Sequence, residues 1–272
     1  MIKALRNILT ATVVAFGFAL PASATTTLGT DYTDLWWGGG AENGWGLNLI
    51  HQNNTIFATL YVYNSDGTPR FFSGSETRAT GTNSFSGALF DTRGTYFGTV
   101  PYNAGSFTAT QVGTITLTFS SANAGTLQYN VGGVTVTKSI TRFAFGGNNL
   151  AGNYLGGMTA TSTCSGQSQL TLIFDTLQVS HSGSSVTMTV NFFNNQGTSS
   201  RCVFSGTYSQ QGSLGTVSGT YSCTFGSAAG NQGTFTVSEI APHQSGFTGR
   251  FTGSDQFCSS HSGWFGGVRD VI

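Results

Sequence analysis

The sequence predicts an all-β protein built as two antiparallel domains behind a signal peptide. Three observations carry this. Apolar and hydroxyl-bearing residues alternate through much of the chain. Turn-forming pairs recur at short intervals. No eleven-residue window places apolar side chains at i, i+3, i+4 and i+7, as an amphipathic helix would. A period of two gives each strand one apolar face and one wet face, and short intervals between strands favour hairpins over crossovers.

The first 24 residues stand apart. Lys3 and Arg6 precede an apolar run from Ile8 to Leu20, and Ala22-Ser23-Ala24 offers the small-x-small site that a signal peptidase cuts. The run is too short for a membrane span, so the protein is expected not to be membrane-spanning, and no cysteine follows for lipid attachment. Export is therefore expected, to the periplasm, the cell surface or the extracellular space, with a mature chain from near Thr25. Without Lys3 and Arg6, eight basic side chains (10 − 2) face ten acidic ones, a net charge of −2. Charged residues are 7% of the chain, against a usual ~25%. No run of like charge exists, which argues against nucleic acid and anionic membrane surfaces as partners. Solubility must rest on Ser, Thr, Asn, Gln and backbone amides. Abundant Phe, Tyr, Val, Leu and Ile, with few prolines, argue for a packed core over a disordered linker.

The strands follow in order. In the first half "TITLTF" (114–119) and "GVTVTKSITRF" (133–143) alternate most clearly, whereas residues 91–108 show no clear pattern. "FGGNNLAG" (145–152) ends one strand and begins a fresh series, so the domains are taken as 25–146 and 147–272. In the second half "QLTLIF" (169–174) and "SVTMTVNFF" (185–193) alternate in the same way. Turns are expected at Asn53-Asn54, Ser65-Asp66-Gly67, Gly132-Gly133, Asn194-Asn195-Gln196-Gly197 and Gly212-Ser213. Each half parses into about eight strands, opens with an aromatic beside glycine ("LWWGG", "NYLGG") and closes on a strand carrying arginine (Arg142, Arg269). Eight antiparallel strands in sequence predict an up-and-down, calycin-like barrel, with a β-sandwich as the alternative. The ends of the second half faintly resemble the avidin–lipocalin superfamily, where an early Gly-x-Trp packs near a late arginine. Here Gly152-Asn153-Tyr154 carries tyrosine instead, and those families' ligand residues are not recognisable.

One hairpin is defined by its residues. Folding "RCVFSGTYSQQGSLGTVSGTYSC" (201–223) at Gly212-Ser213, a pair suited to a type II′ turn, sets Cys202 opposite Cys223, Phe204 opposite Tyr221, Gly206 opposite Gly219 and Tyr208 opposite Val217. The other face pairs Ser205 with Thr220 and Thr207 with Ser218. A slip of one residue would mix the faces. Cys202 and Cys223 can then bridge across the strands if they form a non-hydrogen-bonded pair. Cys164 falls between the first and second strands of this half, and Cys258 between the seventh and eighth. A disulfide between them would staple the barrel's closure. Four cysteines allow three pairings; this one follows from the topology. An exported compartment favours disulfides over zinc.

Chemistry is sparsely signalled. No G-x-S-x-G elbow is present, and serine is so common that one near His181 or His261 carries no information. His51, His181, His243 and His261 are scattered singly, Asp66-Gly67 lacks the other ligands of a calcium loop, and neither metal nor cofactor is expected. His51 reads as a strand-end residue. Asp31, Asp34 and Glu42 lie near tryptophans, as a glycosidase's acids would. However, their separation cannot be read from spacing, and Glu42-Asn43-Gly44 reads equally as a turn with Glu42 capping amides. Asp66, Glu76 and Asp91 sit beside turns or on wet faces.

The aromatic cluster is the strongest remaining signal: Trp36, Trp37 and Trp45 flank Gly38-Gly39-Gly40, and Trp264 sits in the expected closing strand. On a strand, Trp36 and Trp37 face opposite ways, so one can fill a core while the other covers a rim. Plugging a barrel end with Trp36 or Trp37 and Trp45 is one reading. An aromatic platform for a sugar ring or apolar ligand, formed by Trp36, Trp37, Trp45, Glu42 and Trp264, is the other. The segment "DLWWGGGAENGWGLNLIHQNNTIFATLYVYNSDGTPRFF" (34–72) resembles a recurring segment of uncharacterised exported proteins of Gram-negative bacteria. There, too, a Trp-Trp pair, a short loop with an acid, Gly-Trp-Gly, an alternating strand and a hairpin follow in order. The likeness extends over 31–143; Gly38-Gly39-Gly40 replaces the usual Asn-Pro of that loop. It implies export and a β domain and names no substrate. The expected function is a non-catalytic binding module for a glycan or small apolar ligand. A structural protein that self-associates at the cell surface is the alternative, and a glycan hydrolase is the third reading.

Overall fold

The structure, a computed structural model, describes residues 29–193 and 199–270. It is all-β: two closed antiparallel barrels of eight strands each, with every strand paired to its neighbours in sequence. The first comprises β1 (Asp34–Trp37), β2 (Gly46–Gln52), β3 (Thr55–Tyr63), β4 (Pro69–Ala79), β5 (Ser84–Arg93), β6 (Thr108–Phe119), β7 (Ala124–Val131) and β8 (Val134–Arg142). The second comprises β9 (Gly152–Cys164), β10 (Gln167–Ser182), β11 (Ser185–Phe193), β12 (Ser199–Gln211), β13 (Leu214–Phe225), β14 (Gln232–His243), β15 (Gly246–Asp255) and β16 (Cys258–Arg269). Closure excludes the sandwich. β1 pairs β8 through Trp36–Arg142 and Trp37–Thr141, and β16 pairs β9 along most of its length. The expected turns fall between strands, except 194–197, which lies outside the described residues. The patternless stretch is a long connection after β5, containing only a short 3₁₀ turn at Ala104–Ser106.

The hairpin register is the expected one: Cys202 faces Cys223, Phe204 faces Tyr221 and Tyr208 faces Val217. Ser205, Thr207, Ser218 and Thr220 point outward, exposed, while Cys202, Phe204, Tyr208, Val217 and Cys223 are buried. Gly212 alone of the turn pair has positive φ (59°), as a type II′ turn requires. Cys223 N–H donates to Asn231 O on the β14 side. Cys202 and Cys223 therefore form a non-hydrogen-bonded pair, and they are bridged, with Cα atoms 4.0 Å apart. Cys164 and Cys258 are also bridged, at the strand ends where β9 meets β16. Two disulfides accord with an oxidising compartment.

The halves repeat one plug. In the first, Trp36 is buried with its Nε1–H donating to Tyr32 O (3.0 Å), and the Arg142 guanidinium lies over its ring at 4.9 Å. In the second, Tyr154 donates its hydroxyl to Leu150 O (2.7 Å), and Arg269 lies over its ring at 5.2 Å. A histidine joins each: Tyr32 N–H donates to His51 Nδ1, and Leu150 N–H donates to His181 Nδ1. An early aromatic under a late arginine is thus common to both barrels. The reason is physical. A closed barrel brings its first and last strands together, and a guanidinium there can satisfy the carbonyls of the incoming chain while covering an aromatic face.

The strands of the second half are longer than their sequence suggested, up to 16 residues in β10. Polarity still runs apolar inside and hydroxyl outside, as in β11, where Val186, Met188 and Val190 are buried between Thr187 and Thr189. That is opposite to the lipid-facing order of a membrane barrel. No helix among the described residues is long and apolar enough to cross a membrane.

Candidate functional site

The tryptophans are not gathered into one surface. Trp36 is 1% exposed, in the core of the N-terminal barrel. This removes it from any platform and assigns it to the plug. Trp37 points outward, edge-on to Phe143 at 4.9 Å. Trp45 is half-buried against the opposite end of the same core. Its Nε1–H donates to Glu42 Oε2 (3.1 Å), and Lys138 Nζ lies 3.0 Å from Glu42 Oε1 and 5.7 Å from the ring centroid. Lys138, and then the Trp45 N–H, hold the Glu42 carboxyl below the usual carboxylate range. Glu42 therefore caps a side-chain cluster, not the amides expected of it. Trp264, 43% exposed, lies on the outer wall of the C-terminal barrel under the Arg250 guanidinium at 4.8 Å.

The acids near the tryptophans are also committed elsewhere. Asp34 pairs with Arg142 Nη1 (2.9 Å) and accepts from Ser213 N–H (2.6 Å). Asp31 accepts from Thr33 N–H (2.8 Å), and Asp66 closes a local turn on Thr68. No arrangement here poises two carboxyl groups across a shared space.

Chemistry gathers instead at the rim of the C-terminal barrel opposite its plug. A cavity of about 260 Å³ opens there, walled by Met158, Ala160, Phe192, Phe204, Phe251 and both disulfides. Among the inward positions between plug and rim, Ala160 reaches the cavity, whereas Gly206, Gly219 and Gly263 pack against the backbone of neighbouring strands. A side chain at Gly219 would strike the Ser205 carbonyl, so the close approach of β12 to β13 keeps that position glycine.

Of the polar side chains lining this cavity, Asn231 stands to one side and the other four form one chain of hydrogen bonds. Ser162 Oγ is 2.7 Å from His261 Nδ1, His261 Nε2 is 3.3 Å from Asp255 Oδ2, and Tyr221 donates its hydroxyl to that same oxygen at 2.9 Å. Asp255 Oδ1 accepts from the Phe257 and Cys258 amides at 2.8 and 2.7 Å. Burial alone would raise the Asp255 carboxyl. The two amides and then the Tyr221 hydroxyl, which donate to it, outweigh burial and hold the group below the usual range. Burial, and then the neighbouring carboxylate, push the Tyr221 phenol well up, so it remains a donor. The expectation that His261 stands alone is thus corrected. Closure of β16 on β9 sets His261 opposite Ser162, and the end of β15 brings Asp255 to the other ring nitrogen.

Two further chemistries can be weighed at this cluster. Asp255, Cys258 and His261 lie within metal-ligand reach of one another, but Cys258 is bonded to Cys164 and offers no thiolate. Serine, histidine and aspartate in series have the composition of a nucleophile relay. In that template, however, the carboxylate holds Nδ1–H and the serine faces Nε2. Here the ring is turned the other way, and the Phe257 and Cys258 amides, which could serve an oxyanion, are taken by Asp255. The arrangement is a hydrogen-bonded polar cluster on one side of an otherwise mostly apolar cavity.

Comparison of the chain with models of known protein families and with curated proteins gave no match. The site's own geometry must carry the function.

Proposed function

We propose that the protein is an exported, non-catalytic binding module that takes a small, predominantly apolar ligand in the open end of its C-terminal barrel. The observation that carries this is the cavity itself. It is apolar over most of its wall, has a few converging polar groups on one side and is held open by two disulfides at its rim, which is the usual make-up of a small-molecule site. At about 260 Å³ it lies just below the ~300–1,000 Å³ of drug-sized pockets, which limits the ligand to a small one. The N-terminal barrel offers a contrast: Leu47, Leu49, Ile56, Leu60, Leu89, Ile115, Leu117 and Leu127 fill its interior.

Methionine methyl NMR tests this directly, because Met158 lines the cavity whereas Met188 lies in the packed core. Titration with naphthalene should move the Met158 signal saturably and leave Met188 in place. Ala160→Trp, which fills the cavity, should abolish the shift, and Trp37→Ala should not. A Met158 signal indifferent to naphthalene at its solubility limit would remove the reading.

The outer face of the N-terminal barrel favours a second reading, as a glycan binder. Phe57, Phe71 and Phe107 are exposed there and, with Phe90, line a shallow groove together with Thr59, Ser73 and Ser75. Aromatic faces beside hydroxyls suit sugar rings. Retardation in gels containing soluble polysaccharide, lost in a Phe57→Ala/Phe71→Ala variant, would support it.

A further inference from the structure

We infer that the ligand of the C-terminal cavity is a neutral hydrogen-bond donor, a small apolar alcohol, and that Ser162 Oγ is the atom that accepts its hydroxyl proton. This rests on the cavity being the binding site and specifies what it selects. The argument follows the direction of each hydrogen bond.

The ionised Asp255 carboxylate can only accept, and it takes four donors: the Phe257 and Cys258 amides, Tyr221 and His261 Nε2. The histidine proton therefore sits on Nε2. With the ring uncharged, the state in which the test at pH 8 reads it, Nδ1 is a lone pair and the Ser162 hydroxyl, 2.7 Å away, donates to it. Its only proton spent, Ser162 Oγ keeps two lone pairs and has no other hydrogen bond among the described residues. Ser162 lines the cavity, so what it presents there is an acceptor. Tyr221 has likewise spent its proton on Asp255.

The charges point the same way. No lysine or arginine lines the cavity, and its one acid is Asp255. A ligand carboxylate would enter beside a buried carboxylate with no cation to offset it and no free donor from Ser162 or Tyr221. A carbonyl or ether oxygen would meet lone pairs at Ser162 and Tyr221; the Asn231 amide, which also lines the cavity, can donate to an alcohol oxygen as readily as to an ether, so it does not separate the two. An ammonium would lose its hydration opposite a carboxylate whose acceptor sites already hold four donors. A hydroxyl on an apolar body meets both requirements: its proton goes to Ser162 Oγ and its hydrocarbon lies against Met158, Phe204 and Phe251.

Four probes of matched size separate the possibilities: 1-octanol, heptyl methyl ether, octylamine and octanoate, each titrated at pH 8 against the intact protein with the Met158 methyl signal as readout. One net hydrogen bond gives 1-octanol a roughly five- to tenfold advantage over the ether, which has the oxygen without the proton. Octanoate should bind more weakly than either. Ser162→Val, whose methyl groups cover His261 Nδ1, should bring alcohol and ether to equal affinity, with the Met188 signal verifying the fold. The wild-type comparison of alcohol with ether decides the matter even if that variant does not fold. Equal binding of alcohol and ether overturns the inference and leaves the cavity a binding site. Tighter binding of octanoate or octylamine overturns it too, by assigning the selection to charge. If none of the four probes, nor naphthalene, moves the Met158 signal, the binding-site reading itself fails.

Discussion

Removing one arginine at the same structural position in each barrel should cost very different amounts. Arg142 is buried; its side chain donates from Nε to Ala122 O (2.7 Å), from Nη1 to Thr33 O (3.0 Å) and Asp34 Oδ2 (2.9 Å), and from Nη2 to Asp31 O. Arg142→Ala strips a mostly buried Asp34 carboxylate of its partner and orphans three carbonyls that tie the incoming chain to the barrel end. Breaking a buried pair in this way costs about 3–5 kcal/mol, against a total of about 5–15 kcal/mol for a typical domain. Among the described residues Arg269 donates to neutral partners, Ala151 O at 3.3 Å and the Tyr154 hydroxyl at 3.1 Å, and it is partly exposed. Arg269→Ala should cost about 1–2 kcal/mol. Urea unfolding measures both. Tryptophan emission in a Trp264→Phe background reports the N-terminal barrel alone, and the Met158 and Met188 signals report the C-terminal one. Arg142→Lys keeps the charge but loses the fork, and should fall between wild type and alanine. If Arg142→Ala costs no more than Arg269→Ala, the arginine merely covers the aromatic ring, and the hydrogen-bond account of the barrel end is wrong.

The two disulfides should contribute unequally. Loop-closure entropy gives about 4.7 kcal/mol for Cys164–Cys258, which closes 94 residues, and about 3.3 kcal/mol for Cys202–Cys223, which closes 21. Deleting each as a paired Cys→Ala change and comparing urea midpoints checks the order, and equal losses would contradict it. Asp255 has a pH signature. Its folded pKa lies below 3.8, so its contribution is complete above that value and is lost as pH falls through the lower, folded one. The stability difference between wild type and Asp255→Asn should shrink as pH falls from about 5 into strong acid. A difference that grew on acidification would place the shift in the opposite direction.

Most of the architecture was legible because period-two alternation is a direct image of a barrel wall. The Gly212-Ser213 hairpin could be written to the residue, since only one register keeps sulfur and aromatics apart from hydroxyls. Barrel closure followed from strand order and carried the second disulfide with it. The long connection before β6 was not legible, because nothing in residues 94–107 alternates. The tryptophans misled in part. A Trp-Trp pair must send one ring each way, but the sequence does not say which ring the chain's own closing arginine will claim.

The Ser162–His261 contact could have been found earlier. Once Cys164 is joined to Cys258, the antiparallel register between the first and last strands is set. Counting back to Ser162 and forward to His261 reaches adjacent positions, offset only by the bulge between Cys258 and Ser260. Asp255 was harder, since it arrives around the turn from β15 through hydrogen bonds to Phe257 and Cys258 that no spacing rule forecasts.

The two barrels share a plug and differ at the other end. At that end the N-terminal barrel carries Trp45, half-buried on its core, whereas the C-terminal one opens into the cavity lined by Ala160 and Met158. Both disulfides lie in the barrel that carries the cavity, and both line it at the rim. Cross-links are most effective where packing cannot hold the chain, and a hollow end is such a place. The same rim holds Asp255, whose four donors fix His261 and through it the direction of the Ser162 hydroxyl. A cavity left by chance would have no need of a rim covalently bridged on two sides, nor of a carboxylate buried to 5% exposure and fully partnered at its mouth. The cavity and the cross-links at its rim coincide, and that coincidence is what supports the proposal of binding at this end of the C-terminal barrel over one at the more conspicuous tryptophans of the other.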